Sequence, residues 1–424
     1  MNDHRSIRLK KYFVFGSKFY SDSLNMVFVL YAFLLPFSKA FPLFTAPYVI
    51  LFLWLMEGGL SQKTAKLKSA KVIYSLLLFF MFTVLSLLWT NDIYEGIQSL
   101  KYYFAITVVI IVFFTSVQKH FLKPILYAFL FSMFISEMIS YGIYFEWWSI
   151  NGKTSANPTP FMHHTIYSVF LVVTIFLLLI QLKDKSIPFK LKVFEFLFLL
   201  SSSTNLFING GRTGQLALIF GTVSFVVIYY KKKMYLLYAA VFLTVLFFSA
   251  YRVSPNFHQR ADQALTDVVK IQEGNLQNSW GWRIMMKIVS YHIIEEHPLI
   301  GVGVGDVLDE YRHTLKREEL KKYDATKILQ HLHDQFLQVT VETGFTGLAF
   351  FLLFLFYVFR SALNIRDPLI RAALFSILVI FIFSFFTDVP LKNFTGGLFA
   401  FIVGYLLNYT ASEKTAWPTE KMRQ

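Results

Sequence analysis

Long uncharged stretches decide the fold of this chain, and residues 72–90, VIYSLLLFFMFTVLSLLWT, are a clear case. A helix needs about 20 apolar residues to cross the hydrocarbon core of a bilayer. The stretch is continuously apolar, whereas the strands of a membrane barrel alternate over about ten residues. It therefore predicts a transmembrane helix.

The composition extends that conclusion to the whole chain. Of 424 residues, 55% are hydrophobic and 16% are charged, and the mean hydropathy is +0.52. Soluble domains carry about 25% charged residues, so the composition argues against a cytosolic enzyme, and the apolar content excludes a disordered chain. The lack of cysteine excludes a disulfide-stapled domain, a thiolate metal site and a cysteine nucleophile. An all-α polytopic membrane protein remains.

Apolar stretches of this length predict about 12 transmembrane helices. We place them at residues 22–40, 43–59, 72–90, 99–117, 123–146, 160–181, 193–209, 213–230, 234–252, 334–359, 371–388 and 394–410. The first two could instead form a re-entrant pair around Pro36 and Pro42. Helices 1–9 then occupy residues 1–252, a long helical loop occupies 253–332, and helices 10–12 with a tail occupy 333–424, all in one integrated domain. We expect no cleavable signal peptide.

The distribution of basic residues predicts the orientation. Segments that are cytoplasmic if both termini lie inside carry 24 Lys and Arg, against only Lys153, Arg212 and Lys392 in the opposite short loops. Cytoplasmic loops of membrane proteins are enriched in such residues. The net charge of +14 is thereby explained by orientation and contact with anionic lipid, and nucleic-acid binding is not needed.

Residues 253–332 form the one long connection, and structureless loops of that length are usually functional. Residues 281–297 have apolar side chains at helical spacing and end at Pro298, which predicts a helix. Residues 311–323 predict a charged, solvated helix with a Glu318–Lys322 pair. The segment His297–Asp306 contains GVGVG, but its GxGxG spacing follows a helix, so we interpret it as a turn that lets the loop fold back rather than as a nucleotide loop.

Three arginines at the extracytoplasmic end are candidate ligands for an anion. Arg212 lies in NGGRTG between two apolar stretches, where glycines allow a tight turn and close approach of a ligand. Arg260 and Arg283 lie in the long loop. Together they would make a diphosphate clamp, because guanidinium binds phosphate oxygens bidentately. Taken singly, Arg212 could equally be a snorkelling interfacial residue, and the position of Arg260 or Arg283 favours a surface salt-bridge partner over a ligand.

Two histidines stand where the long loop re-enters the membrane, in HLHDQFLQVTVETGFTGL. If this stretch is helical, His331 and His333 point about 200° apart, so only one can face a central cavity. The spacing of a zinc motif such as HExxH is absent, so we expect no metal. A histidine here could act as general base or as an interfacial cap. Glu342 lies too deep to be an ordinary surface charge.

Four segments carry a family resemblance, namely NGGRTGQLAL (209–218), NFHQRADQALTDV (256–268), SWGWRIMMKIVSYHIIEEHPLIGVGVGD (279–306) and HLHDQFLQVTVETGFTGL (331–348). With the twelve-span plan and the single late loop, the chain resembles the O-antigen ligase superfamily of bacterial inner-membrane glycosyltransferases, whose fold is GT-C-like. The superfamily includes O-antigen polymerases and protein O-oligosaccharyltransferases. Ligases more often have Asn after the motif histidine, where this chain has Asp334.

The resemblance implies roles for these residues. His333 would be the catalytic base, and Arg212 and Arg283 would engage the donor diphosphate, with Arg260 as a third. The donor would be undecaprenyl-diphosphate-linked O-antigen and the acceptor lipid A–core oligosaccharide, joined at the periplasmic face of the inner membrane without metal or cofactor. Membrane lipids would be the other partners.

Other functions remain open at this stage. A polymerase or a protein O-oligosaccharyltransferase would use the same chemistry on another acceptor. A transporter of lipid-linked glycan would need charged residues along the membrane midplane and two related halves, and neither feature is apparent in the sequence.

Overall fold

A computed structural model describes residues 3–150, 152–230, 232–324, 326 and 329–421. The described residues form sixteen α-helices and no β-strand. The helices are α1 (Asp3–Leu34), α2 (Ala46–Met56), α3 (Leu60–Lys68), α4 (Lys71–Leu85), α5 (Ile93–Ser116), α6 (Leu122–Tyr144), α7 (His164–Lys183), α8 (Phe189–Ile208), α9 (Arg212–Tyr229), α10 (Met234–Val253), α11 (Pro255–Gln272), α12 (Ser279–Glu296), α13 (Val307–Thr314), α14 (Gln335–Leu363), α15 (Pro368–Phe385) and α16 (Phe394–Lys421).

The protein is an all-α polytopic membrane protein, as predicted. Ten helices in the described part are long and apolar enough to span a bilayer, and they coincide with the last ten predicted spans. The second predicted span is a π-helical turn (Phe41–Thr45) followed by α2, and the chain then bends by 115° into α3. The first predicted span is helical only to Leu34, where α1 ends before Pro36, because proline cannot continue the helix.

The spanning helices differ in how far they are enclosed. Of the spans in α16 and α7, 78% and 72% of the residues are buried inside the protein, against 11% for α10. Helices α16 and α7 therefore form the centre of the bundle, while α10 lies at its edge with an apolar surface suited to lipid.

Three helices, α11 to α13, lie in residues 253–332. The predicted helix over 281–297 is confirmed as α12. The predicted helix over 311–323 is wrong, because α13 covers Val307–Thr314 and only Lys321–Tyr323 form a further 3₁₀ turn. The start is shifted because Asp306 accepts hydrogen bonds from the backbone N–H groups of Asn91 and Asp92, at 2.7 and 2.8 Å, and so anchors the chain before α13.

The segment before α13 docks into a break in α14. Gly344 has φ +65° and ψ −171°, which interrupts the helix. The carbonyls of Val341 and Glu342, which would otherwise accept from residues 345 and 346, accept instead from Val302 and Gly303, at 2.9 and 3.0 Å.

The two N–H groups that the break frees are satisfied in the same way. Phe345 donates to the Pro298 carbonyl at 2.8 Å, and Thr346 donates to the Leu299 carbonyl at 3.2 Å. Unpaired backbone groups at membrane depth are costly, so the glycine-containing segment His297–Asp306 completes the backbone of the broken helix. This is a structural role for GVGVG, beyond the turn that the sequence predicts.

We expect Gly344→Ala to destabilise the fold by at least about 3 kcal/mol, because its backbone region is essentially restricted to glycine and an added Cβ would lie 2.2 Å from the Leu299 carbonyl carbon. Gly58→Ala is the matched control, since Gly58 has φ +74° but no heavy atom within 4 Å of such a Cβ, and should cost about 1 kcal/mol. Melting temperature followed by tryptophan fluorescence measures both. Equal losses would contradict the docking.

Candidate functional site

The predicted site residues lie at one end of the helix bundle, here called the site end. Arg212 is the first residue of α9, Arg260 lies on α11 and Arg283 lies on α12. His333 lies in the connection just before α14, at the same end. The connection between α15 and α16, residues 386–393, reaches the same place and supplies Asp388.

Arg212 is paired within the protein through only part of its guanidinium group. Its Nη1 lies 3.3 Å from Asp267 Oδ2 on α11, while its Nε is buried without a hydrogen-bond partner among the described residues. Buried donors are nearly always satisfied. The free Nε–H therefore marks the guanidinium as a site that an anion could complete.

The glycines around Arg212 serve close packing. A Cβ on Gly211 would lie 2.5 Å from the His164 carbonyl oxygen, and one on Gly214 would lie 2.4 Å from Ser168. They let the start of α9 press against the first turn of α7, where the sequence alone suggested approach of a ligand. A Cβ on Gly210 would lie 2.8 Å from Arg260 Nε, so the Arg260 guanidinium covers this turn.

Arg283 is tied to the connection that carries Asp388. Its Nε donates to the Thr387 carbonyl at 3.3 Å, and its Nη1 donates to the Ser279 carbonyl at 3.2 Å. Burial lowers the pKa of the Arg283 guanidinium, Asp388 raises it, and the charge of Arg212 lowers it. Burial and Arg212 also lower the pKa of Arg260. The charge of Arg212 therefore acts on both Arg260 and Arg283.

Asp388 brings the two histidines together. Its Oδ1 lies 3.4 Å from His331 Nε2 and 3.4 Å from His333 Nδ1, and the two rings are 4.3 Å apart between centroids. Burial alone would raise the pKa of the Asp388 carboxyl, but the contacts with both histidines outweigh it and hold the pKa below its usual value. The carboxyl is therefore ionised at neutral pH.

The expectation that only one histidine faces the site is wrong. Residues 329–334 are not helical, and His333 has φ +49°. The left-handed backbone at His333 turns its ring to the same carboxylate that His331 contacts. The helical spacing rule fails because Asp334 begins α14 only after both histidines, its Oδ1 accepting from the backbone N–H groups of Phe336 and Leu337.

Hydrogen bonding assigns different states to the two rings. The backbone N–H of His333 donates to His331 Nδ1 at 3.3 Å, so Nδ1 carries no proton and the ring proton sits on Nε2, facing Asp388. Burial lowers the pKa of His331 to about 4, with Asp388 opposing and His333 adding to the shift. His331 is thus neutral, with Nδ1 hydrogen-bonded and Nε2 facing the Asp388 carboxylate at 3.4 Å.

His333 keeps one nitrogen available. Its Nδ1 faces Asp388, and its Nε2 makes no hydrogen bond within the part of the chain described. A carboxylate at one ring nitrogen orients the imidazole and stabilises the imidazolium that forms when the other nitrogen takes a proton. The 3.4 Å separation is longer than a good hydrogen bond, and such contacts often tighten only when substrate binds.

The same three residues could hold a metal ion, because their ligand atoms lie within 4.8 Å of one another. A metal on His331 Nε2 would displace the proton there to Nδ1. The hydrogen bond that Nδ1 accepts from the His333 backbone would then be lost. The donor set fits a metal only after this rearrangement.

Two further residues of the site escape the sequence reasoning. The rings of His163 and His164 are 3.8 Å apart at the start of α7. The His164 carbonyl oxygen would lie 2.5 Å from a Cβ on Gly211, so the pair stands beside the turn that carries Arg212. Paired histidines in FMHHT, just before an apolar stretch, are the sequence signal that could have indicated them.

Asp334 and Glu342 have structural roles. Asp334, where ligases more often have Asn, caps α14 and pairs with Lys287 of α12 at 2.8 Å, which fixes the chain beside His333. Glu342 is 1% exposed and accepts from Tyr103 at 2.7 Å and Lys392 at 2.5 Å. Its charge is thereby compensated, and Lys392 is not free for a ligand.

Comparison with known proteins identifies the region. A family model described as O-antigen ligase matches residues 196–352, and no curated protein matches the chain. The match confirms the resemblance drawn from the four motifs and covers Arg212, Arg260, Arg283 and His333, while Asp388 lies beyond it. It supports a function of the O-antigen ligase or polymerase type, that of a glycosyltransferase in a bacterial membrane that uses a lipid-linked glycan and a lipid acceptor.

Proposed function

We propose that this protein, whose residues 196–352 match the O-antigen ligase family, is an O-antigen ligase. It transfers O-antigen glycan from undecaprenyl diphosphate to lipid A–core oligosaccharide at the periplasmic face of the inner membrane. The basic residues favour an orientation with both termini cytoplasmic and the site end periplasmic. Residues 253–332 are then a periplasmic insertion integrated with the bundle. The observation that carries the proposal is the contact of Asp388 with His333, beside Arg283, whose Nε donates to the carbonyl of the neighbouring Thr387.

The reaction is a direct displacement at the anomeric carbon. The acceptor hydroxyl oxygen forms the new bond to that carbon, the bond from carbon to the diphosphate oxygen breaks, and the hydroxyl proton passes to His333 Nε2. Asp388 stabilises the imidazolium that results.

The departing diphosphate needs positive charge that is already in place. Arg212 and Arg283, with Arg260 as a third, supply fixed guanidinium groups that stay ionised. Preorganised donors of this kind act where charge develops, and each contributes about 10²–10³ in rate. The diphosphate linkage is already activated, so no further energy source is required.

Related functions differ in the acceptor. A polymerase would extend a second lipid-linked glycan, and a protein O-oligosaccharyltransferase would modify a polypeptide. A deletion strain separates these functions. Loss of a ligase leaves free lipid A–core with intact long donor polymer, and loss of a polymerase leaves single-repeat caps. Loss of a protein O-oligosaccharyltransferase leaves an unglycosylated protein. A transporter is disfavoured because the candidate groups cluster at one end of the bundle, and joining of donor to acceptor by the purified protein in detergent would exclude it.

We expect His333→Ala to lower glycan transfer by about 10²–10⁴-fold, since a general base contributes that much, with binding of polyprenyl diphosphate retained. His331→Gln is the matched control, because glutamine can still donate to Asp388, and it should lose less than about tenfold. Transfer assays with purified protein and a lipid-binding assay measure both effects. Full transfer by His333→Ala, or equal losses in the two variants, would remove His333 as the base.

We expect Asp388→Asn to lower transfer by about 10³–10⁴-fold, because a neutral amide cannot stabilise the imidazolium, as the equivalent change in a Ser-His-Asp triad shows. Asp334→Asn is the control, since Asn is as good a helix cap as Asp; it loses only the charge of the pair with Lys287 and should keep transfer within about tenfold of wild type. Melting temperatures report whether each variant folds. Wild-type transfer by a folded Asp388→Asn protein would refute the role of the carboxylate.

We expect transfer to persist in EDTA, because guanidinium groups rather than a metal supply the positive charge and His331 Nε2 is held protonated. Purified protein would be dialysed against EDTA and assayed with and without added Mg²⁺, Mn²⁺ or Zn²⁺. Loss of activity that only a divalent metal restores would favour a metal ion at His331, His333 and Asp388.

A further inference from the structure

A cavity adjoins the candidate site at His331. It has a volume of about 520 Å³ and lies between the first half of α5, the segment that enters α13, and the residues just before and within the start of α14. His331 forms part of its wall, whereas Arg212, Arg260, Arg283 and His333 do not. The same histidine thus contacts Asp388 on one side and the cavity on the other.

The cavity wall is polar and close to neutral. It contains three carboxylates, three cations, amide and hydroxyl groups and the ring of Tyr102; the charged residues are Asp92, Glu95, Asp309, Lys39, Arg312 and Lys392. A sugar hydroxyl both donates and accepts hydrogen bonds, so mixed donors and acceptors suit it. An anion such as a diphosphate would find no excess of positive charge here.

Several of these groups are already engaged within the protein. Asp92 caps α5, Arg312 pairs with Asp309 at 2.9 Å, and Lys392 pairs with Glu342. Among the described residues, the side chains of Glu95 and Gln330 make no hydrogen bond or ion pair. Both side chains are exposed to solvent in the cavity wall, so a saccharide that enters the cavity can hydrogen-bond to them in place of water.

The direction of nucleophilic attack in the proposed displacement indicates which substrate binds in this cavity. A nucleophile attacks carbon from the side opposite the leaving group, so the acceptor must approach away from the arginines that hold the diphosphate. The cavity reaches His331, whose ring lies 4.3 Å from that of the proposed base His333. None of the three arginines proposed to hold the diphosphate lines its wall. It is therefore placed for the attacking sugar and not for the departing lipid diphosphate.

We propose that this cavity binds the acceptor saccharide, with Glu95 and Gln330 as specificity-determining residues. The assignment rests on the proposed function. The glycan portion of the donor offers the same hydroxyl chemistry, and the test separates the two sources.

The test is steady-state transfer by full-length protein in detergent, with acceptor and donor varied in turn. Glu95→Gln should raise the KM for lipid A–core about 10- to 100-fold, as loss of a hydrogen bond to a charged group predicts. Gln330→Ala, at a neutral and exposed side chain, should raise it about 2- to 10-fold, and neither variant should change kcat or the donor KM. Glu273→Gln, an exposed carboxylate at the end of α11, is the control. A rise in the donor KM alone, or no change in either KM, overturns the proposal.

Direct binding distinguishes failure of this inference from failure of the proposed function. Titration calorimetry with deacylated core oligosaccharide, and separately with free O-antigen repeat, needs no catalysis. We expect wild type to bind core oligosaccharide, and Glu95→Gln to bind it at least tenfold more weakly. If wild type neither transfers glycan nor binds core oligosaccharide, both proposals fail. Binding without transfer refutes the proposed function but leaves the cavity assignment standing. Transfer with core binding that Glu95→Gln does not weaken refutes the cavity assignment alone.

Discussion

The contact of one carboxylate with two imidazole rings organises the site of this protein. Asp388 fixes His331 through Nε2 and His333 through Nδ1, and the residue before it accepts from Arg283. A buried carboxylate is costly unless it is paired, so the two imidazoles help to offset the burial of Asp388. The pairing leaves His333 Nε2 as the one ring nitrogen of the two histidines that can take up a proton.

The broken helix α14 is the second constraint, because it joins the site to the membrane bundle. The histidines lie just before its start, and its break at Gly344 receives the backbone of residues 298–303. The same segment leads to Asp306, which is hydrogen-bonded to the start of α5. These contacts therefore connect the histidines, the arginines on α11 and α12 and the cavity beside α5.

Much of the fold follows from the sequence, because membrane spans are determined by local apolar runs. The site follows only in part. Arg212, Arg260, Arg283 and His333 stand out as polar residues in otherwise apolar or motif-bearing segments, and the structure brings them to one end of the bundle. Asp388 could not be associated with them, because its partners are set by the packing of α15 and α16 against α14 and α5, although a lone acidic residue at a membrane boundary is itself a signal.

The errors of the sequence reasoning also have physical causes. Helical spacing predicts that the side chains of His331 and His333 point apart, but the chain is irregular there and has a left-handed backbone at His333. The charged stretch at 311–323 has helical propensity, but the tertiary anchor at Asp306 starts α13 earlier and the chain turns after Thr314. Tertiary contacts overrode the local pattern at these two places, whereas the helix predicted over 281–297 forms as α12.

The most direct test of the central claim is an experimental structure of the protein with a bound, non-transferable polyprenyl-diphosphate sugar. We predict diphosphate oxygens at about 2.7–2.9 Å from the guanidinium groups of Arg212 and Arg283, with the anomeric carbon beside Nε2 of His333. A diphosphate bound elsewhere, or held by a metal ion on His331, His333 and Asp388, would contradict the account.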